Sequence, residues 1–385
     1  MNACLEIRSP GLGVSIQDAG RRAYRHIGVP LSGALDPVFL AAANGMLGNP
    51  ADAAGLEVLL AGPVLEALHA PVRVALAGGM GAWRRSPSGS RLSVPAWSTL
   101  TLGAGEQLHV GGPRGVGYIA VEGGLLTAPL LGSRSTYARA GLVHPGTLLP
   151  CQAAREHVGE RWNTPLLHEI GPIRVILGPQ DEHFTAAALE AFLSQPFRIT
   201  RERDRMGMRL AGPLLAHSAR GADIASDGIT PGAIQVPADG QPILLLADCQ
   251  TVGGYPKIAT VISADLPRLA HLQPGETIHF CAVDADGAAV ARLAQAHRLA
   301  DWLAAARPAH AADQPDTALL LAANLAALLF IAATLALGLF VSTLATTQFQ
   351  AFQLAFLTLL PSILLSGFMF PFDGMPIAAQ WLAQV

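Results

Sequence analysis

The chain is almost without lysine: among its 25 lysine and arginine residues, Lys257 alone is a lysine. It also has a long stretch without charge, because no Asp, Glu, Lys, Arg or His occurs from Thr317 to Phe372. Through Arg307 acids and bases balance, which gives no support for a nucleic-acid partner. The four cysteines, Cys4, Cys151, Cys249 and Cys281, are scattered and form no CxxC, so neither a disulfide framework nor a cysteine zinc site is indicated. Twelve histidines include no pair three or four residues apart and no HExxH, so no histidine metal site is expected. There is no GxxxxGK[ST] and no GxSxG, which excludes a P-loop and a nucleophile elbow. AGGMGA at 77–82 is not followed by a helical pattern and reads as a turn at a strand end. The start, MNACLEIRSPG, lacks the basic-then-apolar order of a signal peptide, and the first 305 or so residues read as cytosolic.

What is abundant is glycine (40) and proline (28), a composition that fits many short strands joined by turns. Segments such as LEVLLAGPVLEAL, VRVALAGG and VGYIAVEGG are each bounded by Gly or Pro. Asp36-Pro37 is a helix start, with Asp as N-cap and Pro in the first turn, and the helix runs to about Leu47 with Gly48 closing it. DEHFTAAALEAFLSQ reads as a helix with an acidic first turn, and 284–305 as an Ala-rich helix with Val290, Leu293, Leu299 and Leu303 on its apolar face. The two halves echo each other. LAGP occurs at 60–63 and 210–213, and LGAGEQLHV (102–110) parallels LQPGETIHF (272–280), which suggests a duplicated β-rich unit.

Polar residues concentrate in 221–269, GADIASDGITPGAIQVPADGQPILLLADCQTVGGYPKIATVISADLPRL. Asp223, Asp227, Gln235, Asp239, Asp248, Gln250 and Lys257 are interleaved with apolar runs that read as buried strands. Polar groups at the ends of buried strands are costly unless paired, so their concentration suggests a site. In a chain that uses arginine for nearly every cation, the one retained lysine points to a need for an ammonium, which differs from guanidinium in size, hydration and tunable pKa. Lys257 with Tyr255, Gln235, Asp248, Gln250 and the RERDRMG arginines would suit an anionic oxygen on a carboxylate, an enolate or a tetrahedral centre. That points to acyl, carboxyl or amide chemistry without choosing among them. Cys249, between Asp248 and Gln250, reads as a small residue at the core edge.

SIQDAGRRAYRHIGVPLSGALD, ANGMLGNPADAAGLEVLLAGP, LGSRST, ILGPQ, DRMGMRLAGP and SDGITPGAIQVPADGQPILLLADCQTVGGYPKIATVISADL together resemble one family. It is the family of the biotin-dependent carboxyltransferase domain of urea amidolyase, also called allophanate hydrolase subunit 2, which includes the C-type subunit of 5-oxoprolinase. The resemblance covers about residues 3–285. It implies a mainly β chain of two tandem cyclophilin-like barrels with a few helices, subdomain A over 1–155 and subdomain B over 165–305. It implies a companion chain of the allophanate hydrolase subunit 1 type (the B-type subunit of 5-oxoprolinase), together with an A-type subunit. By resemblance Lys257, Asp248, Tyr255 and Arg205 are catalytic, and Asp36, Gln235, Gln250 and Asp223 bind substrate. DCQTV stands where DRQTT is usual, and SDG where SEG is usual.

Two chemistries follow from that resemblance. One is ATP-dependent cleavage of 5-oxoproline to glutamate, with ATP bound by a partner chain. The other is transfer of a carboxyl group from carboxybiotin, on a separate carrier, to urea or a similar amide. The chain has no biotinyl-lysine motif, since its one lysine lies in GGYPKIAT, and this favours the first. A non-catalytic regulatory role, binding the companion chain, is the third expectation.

The remainder is of another kind. Residues 306–317 read as a linker, and 318–385 resemble part of the membrane-spanning permease of ABC-2 type exporters. Segments 319–341 and 354–370 are apolar enough to suggest a transmembrane hairpin and inner-membrane attachment through 318–372.

Overall fold

A computed structural model of the protein describes residues 3–137, 143–155 and 159–308. The chain separates into two units, residues 1–312 and 313–385, and all of the described residues belong to the first. That unit is mainly β with few helices. Its first half contains two sheets between which the chain alternates. Cys4–Ser9, Val64–Leu68, Ala82–Arg85 and Gln107–Val110 lie in the six-stranded sheet. Their sequence neighbours Leu12–Gln17, Gly55–Ala61, Val72–Ala77 and Ser98–Leu102 lie in the seven-stranded one.

The second half forms an eight-stranded sheet whose edges are Thr277–Ile278 and Phe280–Ala282. These two edges are separated by His279 alone, so a single extended stretch closes the sheet into a near-complete barrel. Closure removes exposed ladder groups that would otherwise need covering. Within it the strand Lys257–Val261 lies between Ala233–Gln235 and Ile173–Leu177, which brings Gln235 opposite Lys257.

The echo between halves extends to individual hydrogen bonds. In the first, Gly105 (φ +81°) donates to the Ala67 carbonyl, while Glu106 donates to Gly103 through its backbone and accepts from the Gly103 amide through Oε2 at 2.8 Å. In the second, Gly275 (φ +93°) donates to Ile199, and Glu276 bonds in the same two ways with Gln273, its Oε2 accepting at 2.9 Å. Both turns require a left-handed residue, which glycine adopts without a Cβ penalty. The Gly-Glu pair common to LGAGEQLHV and LQPGETIHF is therefore a turn specification repeated at equivalent places.

Helix α1 (Pro37–Leu47) forms as its sequence specifies, with Asp36 capping it and Gly48 ending it in the left-handed conformation. Helix α2 (Ala186–Ser194) starts later than the acidic pattern suggests. Asp181–His183 make a separate 3-10 turn, and Thr185 caps the helix by accepting from the Ala188 amide at 3.1 Å. A hydroxyl cap satisfies an orphan amide directly, whereas acids three and four residues before the cap act only through the helix dipole. Helix α3 (Leu266–Leu269) is one turn. In helix α4 (Ala285–Ala304) the expected apolar face holds only in part. Leu299 and Leu303 pack on the core, but Val290 and Leu293 are exposed (66% and 57%), and Ala291 and Trp302 are buried instead. The spacing of the large apolar residues misplaced the face because the smaller alanine carries the inward direction.

One apolar cluster joins the halves, with Phe39, Met46, Trp97 and Tyr118 packed among Phe192, Phe197, Ile234, Leu244, Ile258 and Trp302. A second is confined to the first half. Among the described residues no helix is long and apolar enough to cross a membrane. The linker from residue 309 onward and the apolar segments 319–341 and 354–370 lie outside the described residues.

Candidate functional site

Lys257 is the first residue of its strand and is 3% exposed. Its Nζ donates to Asp227 Oδ2 at 2.6 Å and to the Gly228 carbonyl at 3.0 Å. Asp227 and Gly228 pair with Val252–Gly253 in a two-stranded ribbon, so the chain folds a carboxylate over the ammonium. Gln180 holds both partners: its Oε1 accepts from the Lys257 amide at 3.2 Å and its Nε2 donates to Asp227 at 3.1 Å. Hydrogen bonding from Lys257 holds the Asp227 carboxyl below its ordinary range. An ammonium has three N–H donors, of which these bonds engage two.

Next to this ribbon is a polar cavity of about 490 Å³, lined by Gln235, Gln250, Tyr255 and the Arg201–Arg209 hairpin. Gln235 is fixed by donating to the Tyr255 carbonyl at 3.2 Å, while Gln250 and Tyr255 are exposed. Arg201 is exposed and, among the described residues, makes no ion pair or side-chain hydrogen bond. By contrast Arg209 pairs with Glu202 and Asp239. A more apolar cavity of about 370 Å³ lies elsewhere, against Asp18, Arg22, Leu31, Leu246 and Leu266; none of the expected site residues lines it. Small anionic or amide substrates call for convergent polar groups, which the first cavity has and the second largely lacks.

Arg205 and Asp248 pair with each other. Arg205 Nε donates to Asp248 Oδ2 at 2.8 Å, and its Nη2 donates to Asp248 Oδ1 at 3.1 Å and to the Gly33 carbonyl at 2.6 Å. Its Nη1 donates to Glu57, a carboxylate with no exposed side-chain surface. Tyr118, also buried, donates to Glu57 Oε2 at 2.6 Å and accepts from the Asp36 amide at 2.8 Å. Burial pulls the Arg205 guanidinium down, but Glu57 and Asp248 outweigh it and hold its pKa above the ordinary value. Glu57 and Gly33 belong to the first half and Arg205 and Asp248 to the second, so the cluster ties the halves together.

Asp36 is fully buried. Its Oδ1 accepts from the Val38 and Phe39 amides at 2.9 and 3.0 Å, and its Oδ2 accepts from His168 Nε2 at 2.6 Å and His271 Nε2 at 2.8 Å. Burial raises its pKa, yet the two histidines hold it below the usual carboxylate value. Asp265 behaves alike: fully buried, it is raised by burial and held low by Arg174, which donates through its backbone N–H at 2.8 Å and Nη2 at 2.6 Å, with Arg268 beside it.

A depressed folded-state pKa contributes stability that is present above the unfolded value, about 3.9, and is lost as pH falls through the folded value. The thermal midpoint should therefore fall below about pH 4. Asp265→Asn should cost about 3 kcal/mol at neutral pH, since it leaves Arg174 short of its partner, and should flatten the acid limb. Thermal melts against pH measure this. An acid limb of unchanged slope in the variant would contradict it.

The expected residues thus separate. Gln235, Gln250 and Tyr255 line the polar cavity, and Lys257 is the strand partner of Gln235. Arg205 and Asp248 form the inter-half cluster, Asp36 caps α1 beneath two histidines, and Asp223 is exposed on the surface. Sequence reasoning missed Glu57, Tyr118, His168 and His271 as partners. Local spacing gave no sign of a histidine-containing cluster, yet Asp36, His168 and His271 bring three donor atoms within 4.8 Å of one another. They come from segments more than 100 residues apart, which a search for local spacing cannot detect. Cys249 is buried, and burial pushes its thiol up to about 11, unsuited to a thiolate. All four cysteines are free.

The family described as carboxyltransferase domain, subdomain A and B, matches residues 27–282. The ABC-2 type transporter family matches residues 313–385. The C-type subunit of 5-oxoprolinase from Escherichia coli (strain K12) is 34% identical over 299 residues, covering 75% of this chain and 94% of that protein. Among solved structures, TTHA0988 aligns with a TM-score of 0.63 at 35% identity, covering 73% of this chain and 56% of its own. The Kluyveromyces lactis urea carboxylase aligns with a TM-score of 0.68 at 25% identity, covering 78% of this chain and 29% of its own. The chain thus spans nearly the whole of the bacterial protein, but little more than half of TTHA0988 and under a third of the yeast enzyme.

Proposed function

Because the chain belongs to the carboxyltransferase domain family, subdomain A and B, we propose that it serves as the C-type subunit of an ATP-dependent 5-oxoprolinase. The observation that carries this reading is the alignment over 94% of the C-type subunit of the Escherichia coli 5-oxoprolinase. The polar cavity supports it. 5-Oxoproline is a small lactam with one carboxylate, and Arg201 can pair with that carboxylate while Gln235 and Gln250 meet the amide. Lys257, held by Asp227 and the Gly228 carbonyl, stabilises charge developing on the lactam oxygen as the ring opens. ATP is bound by companion chains, the B-type and A-type subunits. The two subdomains, 1–155 and 165–305, are cyclophilin-like barrels acting in the cytoplasm. Membrane attachment comes from residues 318–372, which take no part in the chemistry.

Carboxyl transfer from carboxybiotin to urea or a related amide is the second reading, favoured by the alignment with the yeast urea carboxylase. Reconstitution separates them. The full chain mixed with its two companion chains is expected to hydrolyse ATP only when 5-oxoproline is added, with glutamate formed in equal amount. Failure to respond to 5-oxoproline, with carboxylation of urea once a carboxybiotin carrier is supplied, would replace the first reading by the second.

A further inference from the structure

We propose that Asp36, His168 and His271 form a binding site for one divalent transition-metal ion of the zinc type. Asp36 has no exposed side-chain surface, and among the described residues no arginine or lysine contacts it. Its Oδ1 is committed to the amides of Val38 and Phe39, so Oδ2 alone faces the two imidazoles, at 2.6 and 2.8 Å from their Nε2 atoms. A wholly buried charge is costly unless compensated, and the side-chain partners Asp36 has here are hydrogen bonds from the two imidazoles. A dication between the three atoms supplies the missing charge.

The donor set is appropriate. Two imidazole nitrogens and one carboxylate oxygen, with a fourth position open, are ligands that zinc accepts in tetrahedral geometry. The rings are held in place beforehand. His168 stacks on Phe39 with centroids 4.8 Å apart and planes 10° from parallel, and His271 packs on the same ring at 4.8 Å. Both histidines also border a cavity of about 500 Å³, lined further by Glu169, Arg268, Glu276 and His279, which gives an ion a way in and leaves room for a fourth ligand. Among the described residues no other three His, Cys, Asp or Glu donors converge in this way.

Metal entry requires small changes only. Metal–ligand distances of about 2.0–2.2 Å set the donor atoms further apart than the present hydrogen bonds. Outward rotation of the two imidazoles, 16% and 22% exposed toward the cavity, provides that space. Each ring moves its proton from Nε2 to Nδ1 and presents the Nε2 lone pair. The hydrogen-bonded cluster is then the metal-free form. Because Asp36 lies in the first half and His168 and His271 in the second, a bound ion would fasten the two halves.

The test uses the full chain, stripped with a chelator and titrated with cobalt(II). One equivalent per chain is expected, with the visible bands of four-coordinate cobalt, lost on adding zinc. His271→Gln, which keeps an amide donor for Asp36, is expected to weaken binding by roughly a hundredfold or more, since even outer-shell changes cost about 10–100-fold. His279→Gln, in the same cavity but outside the cluster, is expected to leave it unchanged. The wild-type cobalt spectrum needs no variant to fold. Absence of stoichiometric binding, a six-coordinate spectrum, or binding that survives His271→Gln would overturn the proposal.

Discussion

Replacing Arg205 by leucine is expected to destabilise the first unit by about 3–5 kcal/mol, the typical cost of leaving a buried charge without its partner. The carboxylate left behind is Glu57, with no exposed side-chain surface, and its remaining donors are the Tyr118 hydroxyl and the Leu35 amide. Two neutral donors do not offset a full negative charge in an apolar setting. The Gly33 carbonyl and Asp248 also lose a donor. Those partners lie in both halves, so the loss is expected to appear as one cooperative change in denaturant midpoint. Adding Glu57→Gln to Arg205→Leu removes the stranded charge while still accepting from Leu35. It should recover at least ~1 kcal/mol, a coupling that a double-mutant cycle measures directly. Additive destabilisation by the two changes would contradict the charge argument.

Lys257→Met is expected to act oppositely, with a small effect on stability and a large one on turnover. Asp227, the carboxylate it would strand, is 52% exposed and can be solvated. Loss of such a pair costs no more than about 1 kcal/mol. The ammonium is by contrast the cation beside the strand position of Gln235, and removal of one preorganised donor to a developing oxyanion costs roughly 10²–10³-fold in turnover. The expected result in the reconstituted mixture is therefore a fall of that size in 5-oxoproline-dependent ATP hydrolysis with an almost unmoved thermal midpoint. A fall in the midpoint that matches the loss of activity would make Lys257 a pin for the 227–228 ribbon and nothing more.

Much of the architecture was legible because its signals are local. Asp36-Pro37 and Gly48 bounded α1 to the residue, and the Gly-Glu pairs at 105–106 and 275–276 marked turns that the two halves build with the same hydrogen bonds. The barrel closure was not legible, since it depends on His279 dividing one extended stretch between the two edges of a sheet. Lys257 was conspicuous through composition alone, and Gln235, Gln250 and Tyr255 through polarity among apolar strands. Their separation from Arg205 and Asp248 was not foreseeable. Asp248 shares the 221–269 stretch and Arg205 the 201–209 hairpin, but both sit in turns beyond strand ends, where the sequence does not give their direction, and Glu57, the residue that claims Arg205, lies 148 positions away. His168 and His271 were hidden for the same reason: a donor set assembled across the fold has no spacing to read.

The most direct test of the central claim is 5-oxoproline-dependent ATP hydrolysis by the full chain with its two companion chains, comparing wild type with Lys257→Arg. Arginine keeps the positive charge, but its planar guanidinium is larger and cannot sit between Asp227 and the Gly228 carbonyl as the ammonium does. The account predicts robust activity in the wild type and near-complete loss in the variant, with the complex still assembled. Equal activity in the two would contradict it.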